Sequence, residues 1–185
     1  MSDANLPEAI QNILDTNSEP DAIFAALLPA LGEVLQCDRT FLYLRNPHTK
    51  LGRVPYCWRR TQEISEVLDP DWKPEPESLP EEDPLFAAAL RTDPSVYVED
   101  VETASPEVVN REFEQSHFGH RALIHSHLVW EGQLWGILQP CVFGNQRVWS
   151  EFDHTVISQV EAKIAPLAAA YVKKKGRRQE SEGRR

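Results

Sequence analysis

Histidine is concentrated in one short segment of this 185-residue chain, and these side chains are the best suited to chemistry. Four of the six histidines lie between positions 117 and 127: His117, His120, His125 and His127. Side chains two residues apart on a strand point to the same face, so His125 and His127 would lie together with Leu123 and Val129. Paired imidazoles can bind a carboxylate or change charge near neutral pH. The ordinary alternative is that backbone groups or solvent satisfy them.

The cysteines are the other potential nucleophiles or metal ligands, and there are three of them: Cys37, Cys57 and Cys141. They form no Cys-X-X-Cys pair, which structural zinc sites and redox motifs usually contain. Cys141 on a neighbouring strand could add a third ligand to His125 and His127, but this spacing matches no standard zinc motif. We therefore predict reduced cysteines that fill the core, and no metal site.

Composition indicates a single globular domain, with 41% hydrophobic and 26% charged residues. The longest apolar stretch, residues 22–28, is far shorter than the roughly 20 residues that a membrane span needs. The first residues show no basic segment before an apolar block, so no leader peptide is expected. We predict a cytoplasmic protein without a membrane span. The net charge of −10 argues against a nucleic-acid-binding face, because an acidic surface repels phosphates.

Helical periodicity appears at both ends of the chain. Apolar residues repeat at helical spacing over 6–14 and again over 23–35, where Ser18 and Asp21 suggest a capping box. A second capping box, Ser150 with Asp153, is expected to open a long final helix. Proline at positions 29 and 166 should bend these helices.

Between the terminal helices, the pattern alternates between strands and short helices. Strands are predicted over 40–44, 53–60, 95–98, 121–130 and 133–143, and helices over 85–90 and 106–117. Glu131 and Gly132 form a two-residue hairpin connection. The proline-rich, acidic stretch 69–84 is predicted to be an exposed loop. This order is typical of an α+β fold with a mainly antiparallel sheet and helices on its faces.

Three segments in this order resemble GAF domains: CDRTFLYLRN (37–46), PLFAAALRTDPSVYVEDV (84–101) and GHRALIHSHLVWEGQLWGIL (119–138). The Leu134-Trp135-Gly136 hairpin is most similar to those of phytochromes and cyanobacteriochromes. The resemblance covers residues 18–172. It leaves 1–17 as an N-terminal extension and 173–185 as a basic tail, which we predict to be disordered.

This resemblance implies an α/β sandwich. A central antiparallel sheet of five to six strands would carry the N- and C-terminal helices on one face, with loops and short helices over a pocket on the other. It also implies a non-catalytic sensory or regulatory module that forms a homodimer, acts on a separate output protein and binds a small ligand near the 121–143 hairpin. The identity of any cofactor is left open.

The resemblance places the odd-numbered face of the first hairpin strand towards the pocket. The ligand-binding residues expected there are Leu123, His125, His127 and Cys141. The dimer interface is expected on the apolar stripes of the terminal helices, at Ile10, Leu14, Phe24, Leu28, Val156, Val160 and Ile164.

Two alternative functions follow from the same resemblance. The first is a noncovalent tetrapyrrole binder, for a bilin or haem, with His125 or His127 at a propionate or at the iron. Covalent bilin attachment is disfavoured because the matching helix, 106–117, contains no cysteine. The second is a free methionine sulfoxide reductase, which uses cysteine thiolates in particular loops. The cysteines here fall at a helix end and in or beside strands, and the Gly-Val-Cys-Gly-like loop of that family is not found.

Overall fold

The computed structural model describes residues 6–182 of the protein. The helices in this range are α1 (Glu8–Thr16), α2 (Pro20–Leu35), α3 (Leu79–Glu82), α4 (Pro84–Leu90), α5 (Arg111–His117) and α6 (Glu151–Glu182). The strands are β1 (Arg39–Arg45), β2 (Leu51–Arg59), β3 (Asp69–Pro74), β4 (Val96–Val98), β5 (Ala122–Trp130) and β6 (Gln133–Val142).

The strands form one six-stranded sheet in the order β3-β2-β1-β6-β5-β4. Every neighbouring pair in this order is antiparallel. The hairpin of β5 and β6 therefore lies inside the sheet, with β1 on one side and β4 on the other. These findings confirm the predicted α+β architecture and its antiparallel sheet of five to six strands.

The hairpin turn has the backbone conformation that its sequence predicts. Glu131 has φ 52° and Gly132 has φ 76°. Two successive residues with positive φ are typical of a type I′ turn, whose twist matches that of the flanking strands. The register Trp130↔Gln133 leaves only these two residues in the connection.

One face of the sheet packs against α1, α2 and α6. Even-numbered residues of β5, including Ile124 and Leu128, enter this core beside Phe24 and Val160 of the helices. The residues that we predicted to form a dimer interface lie in this same core. Six of them are at most 2% exposed: Ile10, Phe24, Leu28, Val156, Val160 and Ile164. Leu14 is partly buried and packs against the same cluster.

The predicted dimer interface is therefore wrong at these positions, since their side chains are already buried within one chain. An apolar helical stripe shows only that a helix face is covered. It does not distinguish the chain's own sheet from a second copy.

Of the two predicted capping boxes, the one before α6 is confirmed. The backbone N–H of Ser150 donates to Asp153 Oδ2 at 2.9 Å, and that of Asp153 donates to Ser150 Oγ at 3.1 Å. The box before α2 is wrong. This helix begins at Pro20 without a side-chain cap, and Asp21 instead accepts a hydrogen bond from the Tyr56 hydroxyl at 2.5 Å.

Two local predictions between the terminal helices are also wrong. The stretch expected to be an exposed loop contains β3 and α3. Its prolines are compatible with β3 because β3 is an edge strand, where a missing N–H leaves no ladder bond unmade. The helix expected from position 106 begins only at Arg111, where Asn110 caps the backbone N–H of Phe113 at 3.2 Å.

The basic segment after residue 172 continues as helix α6 to Glu182, where the sequence predicted disorder. Lysine, arginine, glutamine and glutamate are good helix formers, so the helix needs no buried side chain to continue there. Lys174 and Lys175 also pair with Glu19 and Asp21 near the start of α2, at 3.2 and 3.6 Å. Residues 1–5 and 183–185 of the predicted extension and tail lie outside the described residues.

Among the described helices, none is both long enough and apolar enough to cross a lipid bilayer.

The glycine of the Leu134-Trp135-Gly136 segment generates a stability prediction. A Cβ at Gly136 would lie 2.6 Å from the Tyr43 carbonyl oxygen on β1, a backbone atom that cannot rotate away. We expect Gly136→Ala to lower the free energy of unfolding by about 1–3 kcal/mol, as measured by urea denaturation. Gly176→Ala is the matched control, because a Cβ at this helical position meets nothing within 4 Å. It should raise stability by about 0.5–1 kcal/mol. Equal urea midpoints for the two variants would contradict this explanation.

Candidate functional site

A cavity of about 360 Å³ lies on the face of the sheet opposite the long helices. Its floor is formed by strand residues Phe41, Tyr43, Gly52, Val54, His125, Ile137 and Gln139. Its roof comes from the segments between β3 and α5 and just after α5, with Pro74, Glu75, Pro76, Leu79, Asp83, Phe86, Phe113 and Phe118. Most of these side chains are apolar or aromatic, so the polar groups among them determine how a bound molecule is oriented.

Strand register places two polar side chains next to each other in the floor. Phe41 of β1 is directly opposite Gln139 of β6. The β5–β6 register is the same at Leu123↔Cys141 and at Ser126↔Leu138, so His125 lies opposite Gln139. Between these two pairs the ladder is interrupted, because Pro140 has no N–H to donate.

The two strand histidines form a hydrogen-bonded relay that ends in the cavity. His127 Nδ1 lies 2.7 Å from the Asp93 carbonyl oxygen, which can only accept, so Nδ1 carries the proton. Burial lowers the pKa of His127, which keeps the ring neutral and leaves its Nε2 as an acceptor. His125 Nδ1 lies 2.8 Å from this Nε2 and must therefore donate to it.

The remaining nitrogen of His125 is consequently unprotonated. Burial, followed by the neighbouring His127, lowers the pKa of His125 well below its usual value, so its ring is also neutral. Its proton is on Nδ1, which leaves a bare lone pair on Nε2. Within the described residues, Nε2 has no hydrogen-bond partner. The cavity floor thus presents one fixed acceptor.

Gln139 is the second polar group of the floor. The residue is only 6% exposed, yet its side-chain amide bonds to no protein group in the part of the chain that the structure describes. Buried amides are normally hydrogen-bonded, because desolvating one without a partner is unfavourable by about 1–3 kcal/mol. The Gln139 amide is not among the fully buried groups without partners in the described residues, so it is open to the cavity, where water or a ligand completes its bonding.

A buried ion pair holds the segment after β3 over this floor. Glu75 accepts hydrogen bonds from Arg45 Nε at 2.8 Å, from Arg45 Nη2 at 2.7 Å and from the Tyr43 hydroxyl. Burial, followed by the charge of Glu75, raises the pKa of Tyr43 and keeps the phenol protonated as a donor. Gly52 makes room for this ring, since a Cβ there would lie 1.9 Å from the Tyr43 hydroxyl oxygen.

Two carboxyl groups are buried in the roof. Asp83 caps α4 by accepting from the backbone N–H of Leu85 at 3.1 Å, and burial together with nearby Glu114 raises its pKa to about 7. Glu114 lies 2.5 Å from His120 Nε2, and burial raises the Glu114 pKa to about 7. The desolvation of Glu114 outweighs the favourable charges of His117 and Arg39.

The cationic side chains at the cavity are Arg53 and Lys73, and the Arg53 Nε is buried without a hydrogen-bond partner among the described residues. The Arg53 guanidinium lies 5.3 Å from the centre of the Trp72 ring and 5.9 Å from that of Tyr171, which belongs to α6. Arg53 therefore extends towards the long helices. Lys73 pairs with Asp69 at 2.7 Å on the exposed rim.

The backbone of His127 also connects the floor to α6. Its N–H donates to Ser95 Oγ at 2.9 Å, and the Ser95 hydroxyl donates to Glu161 of α6. The Ser126 hydroxyl donates to the same Glu161 oxygen at 2.7 Å. The ring of His127 bonds to His125 and its backbone bonds to Ser95, so His127 connects His125, through the sheet edge, to the long helix.

Of the four residues expected to bind a ligand, only His125 lines the cavity. His127 lies behind it in the relay. Leu123 and Cys141 are fully buried in a neighbouring apolar cluster with Val98 and Val101. In the described part of the chain, no three metal-ligating side chains come together.

Sequence reasoning missed Phe41, Tyr43 and Gln139, although each alternates onto the same sheet face. It predicted the β5–β6 hairpin, but not the register shift near Leu128 that places Gln139 opposite His125, nor the pairing of β1 with β6 that brings Phe41 beside Gln139. The roof residues were missed because their segment was predicted to be an exposed loop.

The buried histidine generates a pH prediction. Unfolded His125 takes up a proton below about pH 6.5, whereas the folded state resists it, so stability should fall as pH decreases from 6.5 to 5. His125→Gln should show a smaller loss over this range in urea denaturation. His48→Gln, at an exposed position, should keep the wild-type slope. Parallel pH profiles for wild type and His125→Gln would contradict the buried neutral histidine.

The roof carboxyl predicts the opposite pH dependence. The folded pKa of Asp83 is raised to about 7, so its contribution to stability is present at low pH and is lost as pH rises through 7. Asp83→Asn keeps the helix cap but cannot ionise. Between pH 5 and 8 it should gain about 1–3 kcal/mol over wild type in urea denaturation. Asp15→Asn, on the exposed side of α1, should show no such gain, and an equal gain there would refute the assignment.

Many solved structures share this fold, and the three described next have low sequence identity to this chain. The phycocyanobilin-bound GAF domain of a cyanobacterial phytochrome superposes with a TM-score of 0.68 at 17% identity, covering 94% of this chain and 95% of that one. The GAF domain of an Acinetobacter phosphoenolpyruvate-protein phosphotransferase gives 0.66 at 9% identity, covering 91% and 96%. The PixJ GAF domain of Thermosynechococcus elongatus, in its blue-light-absorbing form, gives 0.60 at 19%, covering 93% and 94%.

These structural likenesses establish the fold. No curated protein matches the sequence. The GAF domain family model, by contrast, matches residues 19–165, which is most of the chain and includes both the cavity floor and its roof. With the six-stranded antiparallel sheet, the long helices on one face and the roofed cavity on the other, the chain belongs to the GAF domain family.

Proposed function

We propose that this GAF domain is a sensory or regulatory module that binds a small planar molecule in its cavity and acts on a separate output protein. The observation that carries this proposal is the pair of polar groups that open to the cavity from its floor, His125 Nε2 and the Gln139 amide. Both lack a hydrogen-bond partner among the described residues, and most of the side chains around them are apolar. Packing alone gives no reason for two polar side chains without partners at this place.

The dimensions of the cavity favour a small ligand. About 360 Å³ is near the lower end of the roughly 300–1,000 Å³ of typical ligand sites. This volume suits one or two fused rings better than the four rings of a tetrapyrrole. The aromatic rings of Phe41 and Phe118 lie nearly parallel, with centroids 5.8 Å apart, and provide flat apolar surface for such a ligand.

The state of the cysteines supports binding over thiol catalysis. Cys37 and Cys141 are completely buried, and Cys57 is half-buried. Burial raises the pKa of Cys37 to about 12 and also raises that of Cys57. The nucleophile of a cysteine-dependent reductase is a thiolate that its substrate can reach. The burial and the raised pKa values of these cysteines therefore favour a role in packing over the reductase alternative.

The link to α6 suggests how an output protein would sense the ligand. A ligand that bonds to His125 changes the relay through His127, whose backbone N–H is tied to Ser95 and so to Glu161. Beyond Val172 the helix carries exposed basic side chains, which offer a charged surface to a partner.

Homodimer formation is a separate proposal. With the predicted interface residues buried, a dimer would have to use exposed side chains of the helical layer, among which Phe152 is 53% exposed. Light scattering should give twice the chain mass for the wild type and a single-chain mass for Phe152→Asp. A single-chain mass for the wild type would reject the dimer.

Ligand binding is testable with a variant that fills the cavity. Ligand-observed NMR should detect binding of some one- and two-ring aromatic compounds to the wild-type protein. Val54→Trp places a large side chain on the floor and should weaken that binding at least tenfold. Val148→Trp, at a position 74% exposed and remote from the lining, should leave it unchanged. Absence of binding to the wild type, or equal binding by both variants, would reject the proposed function.

A further inference from the structure

We propose that the cavity recognises the cyclic amide edge of a planar ring. The ring N–H would donate to His125 Nε2, and the adjacent carbonyl would accept from the Gln139 side-chain amide. This inference rests on the proposed function, because it names the ligand class of the same cavity.

The first step is the direction of the hydrogen bond at His125. The Asp93 carbonyl has no proton to give, so the proton positions in His127 and then in His125 follow in sequence. Nε2 of His125 can only accept. A ligand must therefore present a donor at this point, and a carboxylate, phosphate or ether oxygen would oppose the imidazole lone pair.

The second step is the position of Gln139. Residues directly opposite on antiparallel strands have Cβ atoms about 4.5–5.5 Å apart. The side chains of His125 and Gln139 therefore lie next to each other on the same face of the sheet. The Gln139 amide has an N–H group to donate, and the structure supplies no other acceptor for it among the described residues. A ligand carbonyl next to the ligand N–H would satisfy both groups at once.

The third step distinguishes a ring from a peptide. In the usual trans amide, the N–H and the C=O point in opposite directions. Closing the amide into a small ring forces the cis arrangement, which presents donor and acceptor on one edge. The aromatic lining and the small volume of the cavity also favour a flat ring. Leaving either floor group unmatched on binding would cost about 1–3 kcal/mol.

A matched pair of probes tests this inference with the wild-type protein alone. Isoquinolin-1(2H)-one carries the cyclic amide on a two-ring system, and its 2-methyl derivative has N–CH3 in place of the N–H. Isothermal titration should show that the parent compound binds at least tenfold more tightly than the methylated one. Equal affinities would overturn the cyclic amide assignment.

Variants locate the effect at the two floor residues. His125→Phe and Gln139→Met keep approximate size but remove the acceptor and the donor. Each should reduce the affinity for isoquinolin-1(2H)-one at least fivefold, and His125→Phe should abolish the preference over the methylated probe. The matched control is His48→Gln, which should bind both probes as the wild type does. A preference that survives in His125→Phe would overturn the role of His125.

The positioning role of His127 has its own readout. In ¹⁵N NMR spectra, His125 should show protonated Nδ1 and bare Nε2 in the wild type. His127→Leu removes the acceptor for Nδ1, so the proton should redistribute between the two nitrogens and the probe preference should shrink. An unchanged His125 tautomer in this variant would contradict the relay.

These results separate the two proposals. If other planar compounds bind and are blocked by Val54→Trp while isoquinolin-1(2H)-one does not bind, the cyclic amide inference fails and the proposed function stands. If no planar compound binds to the wild type, both fail.

Discussion

Antiparallel pairing of β1, β6 and β5 in the middle of the sheet is the constraint on which the rest of this structure depends. Successive side chains of a strand point to opposite faces, so the pairing separates each strand into two sets. One set enters the core beneath α2 and α6, and the other forms the floor of the cavity. A shift of one residue in register would exchange the two sets. It would bury His125 among the helices and expose Ile124 in the cavity.

The two faces of the sheet differ in how completely their polar side chains are hydrogen-bonded. On the helical side, the half-buried Glu161 accepts hydrogen bonds from the hydroxyl groups of Ser95 and Ser126. On the cavity side, Glu75 is likewise satisfied, by Arg45 and Tyr43, and this contact fastens the roof to the floor. His125 Nε2 and the Gln139 amide differ from these groups, because they have no hydrogen-bond partner among the described residues and open to the cavity. Their position over the interrupted part of the β5–β6 ladder marks the place where packing and hydrogen bonding are least complete.

Hydrogen bonds also connect the cavity floor to the long helix α6 on the other side of the sheet. The relay from His125 to His127 lies on the floor, whereas Ser95 and Glu161 belong to the sheet edge and to α6. Each link is a hydrogen bond between buried or half-buried groups, where the low dielectric makes such bonds sensitive to their neighbours. The long helix α6 is thus bonded to the sheet through Glu161, and it continues beyond the sheet to Glu182.

Much of the framework could be predicted from local patterns. Helical periodicity located the terminal helices, alternation located β5 and β6, and Glu131-Gly132 identified their turn, because these signals depend on residues a few positions apart. The capping box of Ser150 and Asp153 is equally local. Predictions that needed knowledge of neighbours were wrong more often. Asp21 bonds to Tyr56 of β2 instead of capping its own helix, and β3 forms in a proline-rich stretch because an edge position was available for it.

The sequence by itself determined the family, the order of elements apart from β3 and α3, and the face of β5 on which the histidines lie. Only the tertiary structure decided that the helical stripes are covered by the chain's own sheet, that Leu123 and Cys141 pack beside the cavity instead of lining it, and that Gln139 stands opposite His125. The physical reason is that periodicity encodes which side of an element is buried, whereas the partner that buries it, and the hydrogen bonds left unmade there, depend on strand order and register.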